Sequence, residues 1–258
     1  VGASLGEGCS PVLHHGRIII VRDHSGQSSI EVLEAATGQT VWKRTRDEKN
    51  AWATPKIFTK DGERTQVITA ASNFIRSYDL DTGEVIWQCS GLTGNVTPSP
   101  VIYNDMVICM SGYEGHSVMA LKLDSKGDVS GSSAVAWSGD KGTPYIPSPL
   151  LFDDQLYFTQ SNKGILTALN ATTGEAIIER TRLPDIQNIY ASPVGANGHV
   201  YFAGRTGAIV VLKHTNELNV VATNKLDDEF NASPVPVGDC LYLRGRQYLY
   251  CISENKNN

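Results

Sequence analysis

Short runs of four to six residues rich in Val, Ile, Leu, Phe, Tyr and Trp alternate along the chain with clusters of Gly, Asp, Asn and Ser. Between residues 55 and 87 the runs are Pro55 to Phe58, Gln66 to Ala70, Phe74 to Tyr78 and Glu84 to Trp87, with Asp61-Gly62 and Asp81-Thr82-Gly83 among the breaks. Runs of this length between turn residues are strands and hairpins. The same order returns as Pro149 to Phe152, Leu156 to Thr159, Ile165 to Leu169 and Ala176 to Ile178. No window sustains a 3.6-residue apolar period over about ten positions without a breaker, so the pattern predicts an all-β chain.

A Ser/Thr-Pro pair opens each cycle of runs: Ser10-Pro11, Thr54-Pro55, Ser99-Pro100, Ser148-Pro149, Ser192-Pro193 and Ser233-Pro234. The prolines step by 44, 45, 49, 44 and 41 residues, a period that fits four-stranded propeller blades. Six repeats, starting near 10, 54, 99, 148, 192 and 233, are expected to form a β-propeller domain over 1–253, followed by a polar tail at 254–258. One such sheet alone leaves two faces in water, and stacking neighbours is what buries its apolar residues.

The outer runs of the first three repeats carry Trp42, Trp87 and Trp137, and the next repeat proline follows 13, 13 and 12 residues later. Counting back 13 from Pro11 falls before residue 1. The sixth repeat has three runs, Pro234 to Val237, Cys240 to Leu243 and Tyr248 to Ile252, and then the tail. The two ends therefore lead us to expect further blades upstream in a longer protein.

A net charge of −5 and a pI near 5.7 argue against a general nucleic-acid binder, which needs many cations on phosphate. No apolar run approaches the ~18 residues of a membrane-spanning helix. There is no Cys-x-x-Cys or His-Glu-x-x-His for zinc, no Gly-x-Ser-x-Gly elbow and no phosphate loop. His14-His15 and Asp153-Asp154 fall at hairpin turns, which accounts for both pairs without chemistry.

The segments Leu80-Asp81-Thr82-Gly83-Glu84-Val85-Ile86-Trp87 and Glu34-Ala35-Ala36-Thr37-Gly38-Gln39-Thr40-Val41-Trp42 resemble the pyrroloquinoline-quinone-like (BamB-like) propeller repeat. That repeat is shared by quinoprotein alcohol dehydrogenases and by a lipoprotein of outer-membrane assembly. Trp52-Ala53-Thr54-Pro55, Thr143 to Pro149 and Tyr248 to Ile252 are similar to a bacterial group in this superfamily, for which the resemblance carries over no activity. It implies about eight blades, export to the periplasm, and an outer-strand Trp docked between neighbouring blades. The pattern decays toward the C-terminus: Ile178 stands in the Trp position, Asn216-Glu217 replaces Thr-Gly, and a long stretch from Asp124 to Ala136 replaces the third repeat's turn.

In such a repeat the loops from second to third strand, and from outer strand to the next inner strand, open on one end. The first set places Arg22, Asp23, His24, Asn73, Glu114, His116, Asn162, Lys163, Arg205, Arg244 and Arg246 there, with Arg76 close by. The second adds Trp52, Asn95, Tyr145, Tyr190 and Asn231. The expected ligand-binding face is polar, aromatic and locally basic, suited to an anionic ligand or a peptide carboxylate. Solvated loop tips have the same composition without binding anything.

The catalytic members of the resembled family hold the quinone between a Trp floor and a disulfide of adjacent cysteines, with Ca²⁺ on Glu and Asn oxygens and an Asp base. Here Cys9, Cys89, Cys109, Cys240 and Cys251 are scattered. No Asp matches the base, and only Glu114 and Asn73 suggest calcium ligands. We assign no catalytic and no metal-ligating residues and expect no cofactor. A two-residue turn at Gly245-Arg246 would set Cys240 directly opposite Cys251, near disulfide range, although two thiols acting as small hydrophobes fit as well.

The sequence thus suggests a non-catalytic exported propeller that binds a protein partner or small ligand on its loop face. A quinone- and calcium-dependent dehydrogenase, and a sensory or scaffold domain of a larger protein, are the alternatives.

Overall fold

The computed structural model describes residue 6 and residues 8–253; the polar tail at 254–258 lies outside them. All regular structure is strand, arranged as six sheets in two compact units that divide after Tyr145.

Unit 1 holds three sheets. The first is β1 (Val12–His14), β2 (Arg17–Arg22), β3 (Ser28–Glu34) and β4 (Thr40–Arg46). The second is β5 (Lys56–Phe58), β6 (Gln66–Ala70), β7 (Ile75–Asp79) and β8 (Val85–Cys89). The third is β9 (Val101–Tyr103), β10 (Met106–Ser111) and β11 (Ser117–Lys122), closed by β13 (Val135–Gly139). Between β11 and β13 runs β12 (Gly127–Asp128), which pairs in parallel with β8 and makes the second sheet five-stranded. The long 124–136 stretch thus braces the neighbouring sheet.

Unit 2 holds β14 (Leu150–Phe152), β15 (Gln155–Thr159), β16 (Ile165–Asn170) and β17 (Ala176–Arg182), then β18 (Val194–Ala196), β19 (His199–Ala203), β20 (Ala208–Lys213) and β21 (Val220–Lys225). Its last sheet has three strands, β22 (Val235–Val237), β23 (Cys240–Arg244) and β24 (Leu249–Ser253). Every sheet runs in sequence order as an antiparallel meander except where β12 joins.

The repeating hydroxyl has a physical role. In unit 1 the Ser10 N–H donates to Thr54 Oγ1 at 3.2 Å and the Thr54 N–H to Ser99 Oγ at 3.1 Å. In unit 2 the Ser148 N–H donates to Ser192 Oγ at 2.9 Å and the Ser192 N–H to Ser233 Oγ at 3.0 Å. Each hydroxyl satisfies a backbone donor of the preceding repeat, where an orphaned amide would be costly. The proline beside it has no N–H to satisfy.

The Asp-x-x-Thr-Gly turn is likewise explained. Asp79 Oδ1 accepts the N–H groups of Asp81 and Thr82, both at 2.9 Å, and the Gly83 N–H donates to the Asp79 carbonyl at 2.9 Å. Gly83 has φ +71°, and a Cβ there would come 2.7 Å from the Trp42 ring. Only glycine suits both the left-handed backbone and the indole above it.

Trp42 belongs to the first sheet but packs on the second. It lies in the cluster of Ile19, Val32, Val67 and Tyr78, and its indole N–H donates to the Leu80 carbonyl at 2.7 Å. Trp87 is fully buried among Val107, Leu121 and Leu123, with its N–H on Gln66 Oε1 at 3.1 Å. Trp137 is half-buried. Ile178 fills the corresponding position in unit 2, within the cluster of Val200, Phe202 and Leu212.

Candidate functional site

Antiparallel order puts the second-to-third-strand loops and the outer-to-inner connections at the same end of each sheet. In unit 1 that end is tied together by buried ions. Asp23 accepts Arg46 Nε at 2.8 Å and Arg46 NH2 at 2.9 Å. Arg46 also bonds Thr69 Oγ1 at 3.1 Å and the Tyr78 hydroxyl. The Arg46 side chain is 0% exposed and Asp23 2%. Burial alone would lower the guanidinium's proton affinity, but Asp23, Tyr78 and Glu48 together outweigh it and hold Arg46 firmly charged.

Glu48, also buried, accepts the N–H groups of Asn73 at 2.9 Å and Phe74 at 3.2 Å and Arg76 NH1 at 2.9 Å. Burial pushes its carboxyl above the usual range, and the Asn73 amide and the two arginines pull against that. Arg76, expected near the open face, is therefore a buried partner of Glu48 and Asp47, lying 4.5 Å over the Phe74 ring. Asn73 is spent on Glu48 and on the Asp47 carbonyl, while Arg22 pairs with Glu31 at 3.3 Å. His24 Nδ1 accepts the Gly26 N–H at 2.9 Å. The half-buried Trp52 donates its indole N–H to the Gly6 carbonyl at 3.0 Å.

The outward-facing group of unit 1 is different. Tyr113 is 50% exposed and lies against Tyr145, ring centroids 4.7 Å apart. Glu114 beside it is exposed, and the half-buried His116 bonds Thr143 Oγ1 at 3.0 Å. Asn95 takes a left-handed φ of 53° in the facing connection.

In unit 2 Arg205 stacks over Tyr190 at 4.3 Å and donates Nε to Asn231 Oδ1 at 2.9 Å. Asn162 Oδ1 accepts the Ile146 N–H at 3.1 Å. Lys163 and Arg244 are exposed and make no ion pair among the described residues, and Arg246 lies 3.6 Å from Glu229.

Asp228, which the motif pattern does not single out, organises the last loop. Its carboxylate accepts the N–H groups of Glu229, Arg246, Gln247 and Tyr248 at 2.7–3.2 Å and the Tyr250 hydroxyl at 3.3 Å. A Cβ on Gly245 would come 2.1 Å from its Oδ2, so this approach requires glycine. Burial would raise the Asp228 carboxyl, but the Glu229, Tyr248 and Gln247 amides outweigh it and hold it below the ordinary value.

That carboxylate also explains a register different from the expected one. The 245–248 turn spans four residues, closed by the Gly245 N–H on the Tyr248 carbonyl at 2.8 Å, with Arg244 opposite Leu249. Cys240 therefore faces Ser253, and Cys251 faces Tyr242. The two cysteines sit diagonally on one face as free thiols, and their mutual hydrogen bond leads the causes that raise Cys240.

A stability that rests on a depressed acid is complete above the unfolded value, near ~3.9, and fades as pH falls through the lower folded value. We expect the amide protons of Arg246, Gln247 and Tyr248 to lose exchange protection below about pH 4, near that unfolded carboxyl value. Asp228→Asn should abolish that acid step. Amide exchange followed across about pH 2 to 7 checks this, and protection unchanged down to about pH 2 would exclude the carboxylate's role.

A quinone with a hard cation needs a cluster of oxygen donors. Among the described residues no group of three or more His, Cys, Asp or Glu side chains could hold a metal ion. Asn73 is committed to Asp47 and Glu48, and the cysteines include no adjacent pair. Among the described residues, Asn73 and the scattered cysteines therefore do not fit the roles that a quinone–calcium site would ask of them.

The family model for the outer membrane protein assembly factor BamB matches residues 26–257. Among solved structures, quinohemoprotein alcohol dehydrogenase from Comamonas testosteroni is 14% identical with a TM-score of 0.61, covering 91% of this chain and 44% of its own. A europium-containing methanol dehydrogenase is 11% identical with a TM-score of 0.62, covering 87% of this chain and 52% of its own. The computationally designed protein Ika8 is 12% identical with a TM-score of 0.68, covering 95% of this chain and 70% of its own. These likenesses identify the fold as a β-propeller; the chain spans about half the length of the two dehydrogenases. No curated protein matches the chain in sequence.

Proposed function

The chain belongs to the family of the outer membrane protein assembly factor BamB, and from that premise we propose that it is an exported, non-catalytic platform that binds a protein partner at the loop ends of its sheets. The observation that supports this most is the pair of presented aromatic groups, Tyr113 on Tyr145 and Tyr190 under Arg205, carried on loops tied by the His116–Thr143–Ser111 hydrogen bonds and by Arg205 on Asn231. Tyrosine and arginine are the side chains in which binding energy concentrates. A loop already held in place loses little further freedom when a partner arrives.

The two loop ends differ in chemistry. Unit 1 offers tyrosines beside the acidic Glu114, whereas unit 2 offers Lys163, Arg205 and Arg244 on a chain that is acidic overall. The unit 2 end suits a segment carrying carboxylates, which Arg can engage through two N–H groups at once.

We expect Tyr113→Ala and Arg205→Ala each to weaken retention of the partner from envelope extracts by roughly 30-fold, the range of an interface hot spot. Unchanged retention in both variants would contradict the reading. So would saturable binding of pyrroloquinoline quinone with Ca²⁺, accompanied by the rise in Tm that a native-state ligand must cause.

A further inference from the structure

The outer-strand tryptophan occupies one structural position, and in the fifth sheet that position is almost empty. Trp42 pairs with Val32, Trp87 with Ser77, Trp137 with Ala120 and Ile178 with Ala168, each next to a register shift. The same pairing in the fifth sheet joins Val211 to Ala222, again at the shift. A methyl group stands where the first sheet places an indole.

The surroundings record the loss. Tyr201 and Val211 stand where Ile19 and Val32 stand in the first sheet, and Leu241 and Ile252 where Val67 and Tyr78 stand in the second. Ile19, Val32 and Val67 are 0% exposed and Tyr78 2%, whereas Tyr201, Val211 and Leu241 are half-buried and Ile252 is 44% exposed. Between the fifth and sixth sheets these four residues line an open cleft of about 610 Å³, together with Pro236 and Leu243. Asn224 and Ser253, among its lining residues, carry side-chain oxygens of the kind that accept an indole N–H. The volume lies in the range of small-ligand pockets, apolar with a few polar groups.

We propose that this cleft is a receptor for the tryptophan side chain of a partner protein, which supplies from outside the indole that Trp42 supplies within the chain. The occupant follows from the structure itself: the same arrangement of apolar side chains encloses Trp42 and leaves its N–H on a backbone carbonyl. An indole brings a large apolar area and a polar edge that needs an acceptor. The cleft uses none of the loop-end residues discussed above, so the two readings fail independently.

The test is a titration with N-acetyl-L-tryptophanamide, followed by methyl and amide NMR shifts of residues around the cleft, with N-acetyl-L-leucinamide as control. Saturable shifts at Val211, Leu241 and Ile252 with the tryptophan amide, at least about tenfold tighter than with the leucine amide, are expected; such a factor is one step on the affinity scale. Ala222→Trp should fill the cleft in cis, raise Tm and abolish the shifts. If that variant does not fold, Leu241→Asp, which puts a charge on the cleft wall, should abolish them instead. Absence of binding, equal binding of the two amides, or undiminished binding to a folded Ala222→Trp would each overturn the proposal.

Discussion

Asp23→Ala is expected to destabilise unit 1 by about 3–5 kcal/mol, because it strands a buried guanidinium without its counter-ion. Arg46 is wholly buried, and Asp23 provides two of its four side-chain bonds. The other two go to Thr69 and Tyr78 in the second sheet, so Arg46 is the pin that joins the first sheet to the second. In a chain of this size the loss corresponds to a fall in Tm of roughly 10 °C. Asp23→Asn, which keeps an acceptor but not the charge, should lose less. The double variant Asp23→Ala with Arg46→Met should recover most of the stability, since replacing both ions of a buried pair is often nearly neutral. Denaturant unfolding of the four proteins checks this, and a loss below about 1 kcal/mol for Asp23→Ala, the size of an exposed pair, would show that the pair is hydrated.

Trp87→Ala should cost a similar amount, about 3–5 kcal/mol, through lost transfer energy plus the cavity left behind. The ring is fully buried and its N–H ends on Gln66 Oε1, which also accepts the Ser77 hydroxyl at 2.7 Å. Gln66 in turn donates to the Leu123 carbonyl at 2.8 Å, so the indole supports a polar chain as well as a core. Trp87→Phe retains most of the apolar contact and leaves Gln66 bonded to Ser77; about 1–2 kcal/mol is expected, a hydrogen bond and some packing. Trp137→Ala, at a half-buried position, should cost less than Trp87→Ala. Equal losses at 87 and 137 would contradict the packing described here.

Much of this architecture is legible in the sequence because its repeat is chemical as well as hydrophobic. The run from Gln66 to Ala70 is β6 to the residue, and the Ser/Thr-Pro pairs mark hydroxyls that satisfy the preceding repeat's amides. Less legible are features that depend on one side chain reaching across the fold. The turn at 245–248 is wider than a two-residue hairpin because Asp228, some twenty residues earlier, draws in three successive N–H groups. Glu48 and Asp228 lie outside every motif, since a carboxylate that holds backbone amides needs no fixed spacing. Arg76 and Asn73 read as surface groups until the buried Glu48 is in view. The empty position at Ala222 has a sequence trace, the absence of Trp from the fifth outer strand, but only the register shows what it faces.

The central claim, that the loop ends are a binding surface, is tested most directly by placing a photo-crosslinking amino acid beside the two anchors, at the exposed Glu114 and Thr206, and, as a control, at Leu13, which is 69% exposed at the opposite hairpin end. A discrete protein adduct is expected from 114 and from 206, suppressed by excess wild-type protein but far less by the same excess of the Tyr113→Ala and Arg205→Ala variants, and none from 13. Adducts that form equally from position 13, or that the variants suppress as well as the wild type does, would contradict the claim.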